Sequence, residues 1–103
     1  MYKPLPDGLT IKESKVQGLG LFATQDFAKE VVLGIVHIQN KNFPHGYIRT
    51  ALGAFYNHSD TPNCMNLKGY WHQLPVCYLC TIKPIKAGEE LTAKYTLYDD
   101  FNE

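Results

Sequence analysis

The sequence predicts a mainly β domain, on three observations. Short segments rich in β-branched and aromatic residues follow one another, with glycine-containing turns between them. Only one segment has a helical pattern, and it is one or two turns long. The length of 103 residues and the apolar fraction of 45% suit a single domain, residues 1–103, with one hydrophobic core.

The N-terminal half begins with an arm, residues 1–8, that contains two prolines. Residues 9–14 (LTIKES) alternate apolar and polar side chains, which is typical of a half-buried strand. In residues 17–24 (QGLGLFAT) two glycines indicate a turn that leads into another short strand. Residues 30–39 (EVVLGIVHIQ) are rich in β-branched residues and give the strongest strand prediction.

A loop is predicted at residues 40–46 (NKNFPHG), and residues 47–55 (YIRTALGAF) predict one or two helical turns that end at Gly53. Residues 64–71 (CMNLKGYW) predict a strand broken at Gly69. A further strand is predicted at residues 76–85 (VCYLCTIKPI). These assignments continue the mainly β pattern.

The last elements lie in residues 85–95 (IKAGEELTAKY), which predict a turn at Gly88 and a final strand. Residues 96–103 form a short tail.

Charge and cysteine content narrow the classes of function. Ten basic and ten acidic residues give a formal net charge of zero, which argues against a dedicated binder of nucleic acid or of anionic membranes. No apolar run is long enough to cross a bilayer, and the N-terminus is unlike a signal peptide. Three cysteines, an odd number, disfavour a complete disulfide framework. We therefore expect an intracellular protein, cytoplasmic or nuclear and not secreted.

Cys77 and Cys80 form a C-x-x-C motif that raises the question of a zinc site, with Cys64, His58 and His72 as further ligands. However, the motif lies in an apolar strand pattern, in which the two side chains point to opposite faces. A zinc-binding C-x-x-C normally lies on a tight turn with glycine or polar neighbours. We predict that these cysteines are structural and that the protein holds no metal.

The segment from Tyr56 to Cys64, YNHSDTPNC, is too polar for a strand or helix interior. It stands between two other short motifs, GLGLFAT at residues 18–24 and IKAGEELTAKY at residues 85–95. Together and in this order they resemble the SET-domain family of protein-lysine methyltransferases, whose hallmarks are G-x-G, N-H-S-x-x-P-N and E-E-L-T-x-x-Y. The resemblance covers nearly the whole chain and implies small curled β-sheets. It also implies a C-terminal pseudoknot in which residues 56–63 are the threaded segment, with their polar groups lining the cofactor site.

The resemblance implies an activity as well, the transfer of a methyl group from S-adenosyl-L-methionine to a lysine amine in a protein substrate. A histone tail is one candidate substrate. A free lysine has a pKa of ~10.4, so an apolar channel and the neighbouring sulfonium must lower that pKa before the amine can attack. The methyl transfer requires little further acid–base machinery, in agreement with the lack of an obvious catalytic dyad in the sequence.

Site residues carry over from the family motifs by position. Gly18 and Gly20 match the G-x-G, where missing side chains let backbone groups approach the cofactor. Leu19 and Leu21 would add backbone contacts beside them.

Three further residues match motif positions with defined roles. Asn57 and His58 match the cofactor-binding pair, Asn57 through its side chain and backbone and His58 through its backbone. Tyr95 matches the catalytic tyrosine, whose hydroxyl orients the methyl group. The alternative for Tyr95 is a core tyrosine in a strand.

The chain departs from the family pattern at two motif positions. Asp60 stands where members with a zinc-bearing tail have cysteine, so we expect no tail zinc. Ala93 stands where many members have an aromatic residue that sets the number of methyl groups added, and Tyr70 or Trp71 is a candidate to fill the gap.

The middle insert, residues 40–50, and the C-terminal tail are short for the family. Tyr56, Tyr98 and Phe101 are therefore the candidates for lining the lysine channel, and Tyr98 or Phe101 for closing the adenine pocket. Such a short chain is predicted to need its substrate or a second copy, as a homodimer, to complete the groove. Two other functions stay open, namely a non-catalytic SET-like module that binds a protein or peptide, and a small zinc protein.

Overall fold

The protein is described here from a computed structural model, in residues 5–43 and 46–94. Eight strands and one short helix lie in these ranges. In chain order they are β1 (Leu9–Glu13), β2 (Leu19–Ala23), β3 (Val32–Gln39), β4 (Tyr47–Arg49), α1 (Ala51–Phe55), β5 (Asn57–His58), β6 (Cys64–Trp71), β7 (Leu74–Thr81) and β8 (Glu90–Ala93). The strands form two four-stranded sheets, ordered β1-β2-β8-β5 and β4-β3-β7-β6.

The first sheet brings strands from both ends of the chain together. β1 and β2 are an antiparallel pair, and β8 lies along the other side of β2, with Leu91 opposite Leu21. The two-residue strand β5 runs parallel to β8, with Asn57 beside Thr92 and His58 beside Ala93. Parallel strands cannot be joined by a tight turn, so the chain between β5 and β8 crosses over, and it passes through the second sheet on the way.

In the second sheet, β6 and β7 form a hairpin of eight residues in each strand. Its turn consists of His72 and Gln73, which have φ values of 49° and 67°. The predicted break at Gly69 is wrong, because β6 runs unbroken through this residue to Trp71. A Cβ at Gly69 would lie 2.7 Å from a ring carbon of Tyr78, so the glycine makes room for this aromatic ring on the neighbouring strand.

The segment predicted as one helix divides into strand β4 and helix α1. Thr50 caps the helix, since its side-chain oxygen accepts a hydrogen bond from Gly53 N at 3.2 Å. The predicted helix end at Gly53 is wrong, because α1 continues to Phe55. Gly53 is instead the point of closest packing, where an added Cβ would collide with the backbone of Val36 in β3.

The core lies between the two sheets and contains aliphatic side chains from both, including Leu21, Val36, Leu79 and Leu91. His37 in β3 is also buried, 1% exposed. Neither of its ring nitrogens has a hydrogen-bond partner among the described residues, and burial, with the charge of Arg49, lowers its pKa to about 4. No helix in the described ranges is long and apolar enough to cross a membrane.

Candidate functional site

The three sequence motifs meet in the first sheet. β2 contains Gly20 of the G-x-G, β8 contains Glu90 of the E-E-L-T motif, and β5 contains Asn57 and His58. The order β2-β8-β5 places the third motif between the other two. Segments about 70 residues apart in sequence thus become neighbours, which is the arrangement that the motif roles require.

The loop between β1 and β2 is closed by its own hydrogen bonds. Ser14 N donates to Gly18 O at 2.8 Å, and Ser14 Oγ accepts from Val16 N at 2.9 Å. Gly18 has a φ of 49°, and no described atom lies within 4 Å of the position of an added Cβ. The loop therefore leaves open space on its Gly18 side, which fits a backbone that a bound nucleotide approaches closely.

Asn57 ties this loop to β8. Its Nδ2 lies 2.8 Å from Glu90 Oε2, 3.1 Å from Ser14 Oγ, 3.2 Å from Gln17 O and 3.3 Å from Leu19 O. These contacts engage the amide nitrogen within the protein, and the backbone of Asn57 is paired with Thr92 in β8, which leaves the side-chain oxygen as the group that can contact a cofactor. The structure thus gives the amide nitrogen a role inside the protein that sequence reasoning did not anticipate.

Glu90 is the centre of the same cluster. Its carboxylate accepts one hydrogen bond from Ser14 Oγ, shared between oxygens 2.8 and 2.9 Å away, and another from Asn57 Nδ2. It fills the space over Gly20, where an added Cβ would lie 2.9 Å from the carboxyl carbon. Gly20 is therefore required by the close approach of Glu90, in addition to any approach of a cofactor. Glu89, by contrast, accepts from Lys86 N at 2.6 Å and shapes the turn.

Asn63, at the end of the N-H-S-x-x-P-N motif, is a second link to β8. Its Nδ2 donates to Glu90 O at 2.8 Å, and its Oδ1 accepts from Thr92 N at 2.9 Å. The amide thus pairs with the β8 backbone as another strand would. The prediction that the polar groups of residues 56–63 line the cofactor site is therefore wrong for Asn63, whose amide is used within the fold.

Ser14 and Glu90 were missed as site residues in the sequence. For Glu90, the available signal was its position inside one of the motifs. Ser14 lies outside the motifs, four residues before Gly18, and only the fold shows its contact with Glu90.

His58 lies beside Asp60, with Nε2 3.2 Å from the carboxylate oxygen Oδ1. The Asp60 side chain is 86% exposed, so this contact is open to solvent. His58 pairs with Ala93 through the β5–β8 ladder, and Ser59 N donates to Ala93 O at 3.2 Å. These interactions use the backbone of this segment within the sheet, and the cofactor contact of His58 through its backbone stays a prediction.

Leu19 and Leu21, the two leucines predicted to contact the cofactor, differ in burial. Leu19 is half exposed at the start of β2, whereas the Leu21 side chain is fully buried. Leu21 has Ile11 opposite it on one side and Leu91 on the other. Leu21 is therefore a core residue. Its backbone contact with the cofactor stays a prediction.

Tyr56, the described candidate for the lysine channel, is 5% exposed, and its hydroxyl accepts a hydrogen bond from Asn66 Nδ2 at 3.3 Å. Ala93 is fully buried. Tyr70 and Trp71 are exposed beside the hairpin turn, 74% and 46%. Neither is a buried side chain packed over Ala93, so the prediction that one of them fills that gap is wrong.

Tyr95, the predicted catalytic residue, lies outside the described residues, as do Tyr98 and Phe101. Their roles stay predictions. Strand β8 ends at Ala93, two residues before Tyr95.

The three cysteines are buried, and none of them forms a disulfide in the described residues. The ladder places Cys77 opposite Lys68, and Cys80 opposite Met65, which are on opposite faces of the sheet. Burial, with the neighbouring Cys80, raises the pKa of the Cys64 thiol to about 12, so the thiol is protonated at neutral pH. Residues 5–43 and 46–94 contain no cluster of three His, Cys, Asp or Glu that could hold a metal.

Comparison with protein families gives one match. The model described as the SET domain matches residues 35–96, more than half of the chain. No curated protein is significantly similar in sequence.

Solved structures with the same fold include a proposed histone methyltransferase of Plasmodium falciparum. It has a TM-score of 0.71 at 22% identity, over 85% of this chain and 92% of that one. A humanised mutant of Chaetomium thermophilum Polycomb Repressive Complex 2, bound to an inhibitor, has a TM-score of 0.73 at 22% identity, over 95% of this chain and 16% of that one. A second inhibitor complex has a TM-score of 0.70 at 21% identity, over 88% and 15%. The chain thus spans nearly all of the Plasmodium chain and a small part of the Polycomb chains.

Proposed function

The chain belongs to the SET-domain family, and on that premise we propose that it is a protein-lysine methyltransferase. It transfers a methyl group from S-adenosylmethionine to the side-chain amine of a lysine in a protein. The observation that carries this proposal is the meeting of the three motifs in the sheet β1-β2-β8-β5.

The described residues fit the cofactor. Gly18 stands in the left-handed region with open space beside it, and the loop that contains it is held by Ser14 and Asn57. Gly18, Gly20 and His58 would hold the cofactor through backbone groups, together with Leu19 and Leu21, and Asn57 would hold it through its side-chain oxygen. A site that is ordered before binding loses less conformational entropy when its ligand arrives.

S-adenosylmethionine supplies the methyl group on a positively charged sulfur. The protein has to present a neutral lysine amine in line with that methyl, about 3 Å away. Tyr56 is buried, and we assign it, with Tyr98 and Phe101, to an apolar channel that disfavours the protonated amine. Tyr95 follows β8 closely, and we assign its hydroxyl to orienting the methyl group.

The substrate and its setting follow from the same proposal. The activity proposed for the Plasmodium protein makes a histone tail the first substrate to test. The three buried cysteines form no disulfide in the described residues, which suits a reducing compartment, so we place the protein inside the cell, in the cytoplasm or nucleus. A homodimer would complete the substrate groove, and light scattering of the active protein measures it.

Mass spectrometry tests the function. We expect lysine-containing proteins, histones among them, to gain the mass of one or more methyl groups after incubation with the protein and S-adenosylmethionine. The rate should rise between about pH 7 and 9 as more of the substrate lysine becomes neutral. Calorimetry should show one cofactor site per chain. Absence of both cofactor binding and methylation would favour the non-catalytic module.

A further inference from the structure

The second sheet, β4-β3-β7-β6, has one face packed against the first sheet and one face turned away from it. Residues directly opposite each other on neighbouring strands point to the same side, so the register assigns side chains to faces. Cys77 and Leu79 belong to the core cluster between the sheets, whereas Val76 and Cys80, which alternate with them, do not. The outer face, which is turned away, consists of Ile48 of β4, Val32, Ile35 and Ile38 of β3, Leu74, Val76, Tyr78 and Cys80 of β7, and Met65, Leu67, Gly69 and Trp71 of β6.

The outer face is apolar and open to solvent. No residue at these positions is charged, whereas an antiparallel sheet with one face in water normally alternates apolar and polar residues. Five of the ten large apolar side chains that are exposed in the described residues lie on it, namely Val32, Met65, Leu67, Trp71 and Leu74. Tryptophan, tyrosine and methionine are enriched in protein interfaces, and lysine and glutamate are depleted there. The composition is therefore that of a surface that another protein covers.

Two polar groups on the outer face already have partners within the protein. Tyr78 Oη donates a hydrogen bond to Tyr70 O at 3.1 Å, and Cys80 Sγ donates to Thr81 O at 3.5 Å. A buried polar group costs free energy when it loses its hydrogen bond to water and gains no other. Covering the face would therefore leave neither of these groups without a partner.

The size of the outer face suits a small protein interface. Three of its four strands have eight residues. With strands about 4.8 Å apart and a rise of about 3.4 Å per residue, the face measures roughly 19 by 27 Å, so two copies would bury about 1,000 Å² in total. That area is at the lower limit for a specific interface, and we expect a dissociation constant of about 1–100 μM.

We propose that the outer face binds the same face of a second copy, so that the two sheets pack on each other across a two-fold axis. An uncharged apolar face is its own complement, because pairing it with itself removes no charge from water. Face-to-face packing of two sheets is also how β-sandwiches form their cores. The proposal selects one surface for the homodimer, and it does not rest on the proposed activity, because the three motifs meet in the other sheet.

Sedimentation velocity and fluorescence test the pairing together. Between about 1 and 500 μM, wild type should change from monomer to dimer. Trp71 is the only tryptophan in the chain and is 46% exposed on the outer face. Its emission should shift to shorter wavelength over the same range of concentration, because the indole ring leaves water as the face is covered.

Leu67→Glu tests the surface itself. Leu67 is 37% exposed and lies opposite Tyr78, in the middle of β6, so the variant would place two unpaired charges in each dimer. We expect its dissociation constant to be at least about 100-fold higher than that of wild type, with Trp71 emission at long wavelength throughout. Val16→Glu is the matched control, because Val16 is exposed in the loop between β1 and β2, and association should be unchanged. Met65→Glu takes the place of Leu67→Glu if that variant does not fold, with the same expected result.

Three results would overturn the inference. They are a monomer at the highest concentration, a dimer that forms without a shift in Trp71 emission, and a dimer as stable in the Glu variant as in wild type. Growth beyond the dimer would likewise contradict a two-fold pairing, which uses up the face in each copy. These measurements contain no cofactor, so the proposed methyl transfer and the pairing can fail separately.

Discussion

At the scale of single residues, His37 shows how a polar group is tolerated in the core. The ring packs edge-on against Tyr47, with centroids 4.8 Å apart, and it is neutral at pH 7 because its pKa is about 4. In the unfolded chain the same group has its ordinary pKa of about 6.5. The unfolded state therefore binds a proton at a pH at which the folded state does not.

The sign of the pH dependence follows from this difference. The contribution of neutral His37 to stability is complete above about pH 6.5, is lost as the pH falls towards 4, and changes no further below that. We expect a loss of about 2 kcal/mol, less than the whole pKa shift implies, because relaxation and entering water stabilise the charged ring.

Denaturant unfolding between pH 7 and 4 measures the effect. His37→Phe keeps an aromatic partner for Tyr47 and removes the ionisable group. Wild type should therefore lose stability relative to the variant as the pH falls. A constant difference across this range would show that burial does not control the ionisation of His37.

Gly53 gives a second prediction at this scale. In an exposed helix position, Gly→Ala stabilises. Here the added Cβ would meet Val36 O and would lie 2.9 Å from Val36 C, both backbone atoms that cannot rotate away. We expect Gly53→Ala to destabilise the protein by roughly 1–3 kcal/mol in chemical unfolding.

Ala54 in the same helix is exposed and supplies the control. Ala54→Gly should cost only about 0.5–1 kcal/mol. Because α1 ends two residues before Asn57, Gly53→Ala should also weaken cofactor binding, whereas Ala54→Gly should not. A Gly53→Ala variant at least as stable as wild type would contradict the close contact with β3.

At the scale of elements, the strands were largely predictable and their pairing was not. Alternation located β1, β-branched residues located β3, and glycine turns indicated the strands that follow them, β2 and β8. The prediction that β6 breaks at Gly69 was wrong because the sequence does not show which side chain lies over the glycine. In the sheet, the Tyr78 ring fills the space that a side chain at Gly69 would occupy. The predicted end of α1 at Gly53 was wrong for a similar reason. Close contact with β3 outweighs the low helix propensity of glycine at this position.

The β6–β7 hairpin also escaped prediction, because its turn lacks the usual Asn-Gly pair. His72 and Gln73 both have positive φ, which is unfavourable for residues with a Cβ. The T-shaped contact of His72 with Trp71, with centroids 4.5 Å apart, accompanies this turn.

We expect Gln73→Gly to raise the free energy of unfolding by about 0.5–1 kcal/mol, because glycine adopts this φ without strain. Gln39→Gly is the control, since Gln39 lies in β3 with ordinary extended backbone, and there glycine should destabilise. Thermal melting should show a higher Tm than wild type for Gln73→Gly and a lower Tm for Gln39→Gly. Destabilisation by Gln73→Gly would argue against the turn geometry.

At the scale of the whole molecule, the SET fold was predictable only through the three motifs. Composition and periodicity gave a mainly β domain, but nothing in them indicates that residues 57–58 pair in parallel with β8. The same limit applies to the site. Motif positions named Gly18, Gly20, Asn57 and His58, whereas the contacts among Ser14, Glu90 and Asn57 depend on side-chain geometry that no spacing encodes.

The central claim is that this assembly of motifs transfers methyl groups, with Tyr95 orienting the reaction. Tyr95→Phe keeps a packing ring and removes the hydroxyl. Loss of one preorganised polar group at a reacting centre typically lowers the rate by about 10²–10³-fold. Tyr78→Phe is the control, since its hydroxyl donates to Tyr70 O in the hairpin.

The most direct measurement is methyl transfer to one lysine substrate by wild type, Tyr95→Phe and Tyr78→Phe, with a melting curve for each. The account predicts that wild type and Tyr78→Phe transfer methyl at similar rates. Tyr95→Phe should melt like wild type and bind the cofactor, yet transfer about 10²–10³-fold more slowly. A Tyr95→Phe variant that melts like wild type and transfers methyl at the wild-type rate would contradict it.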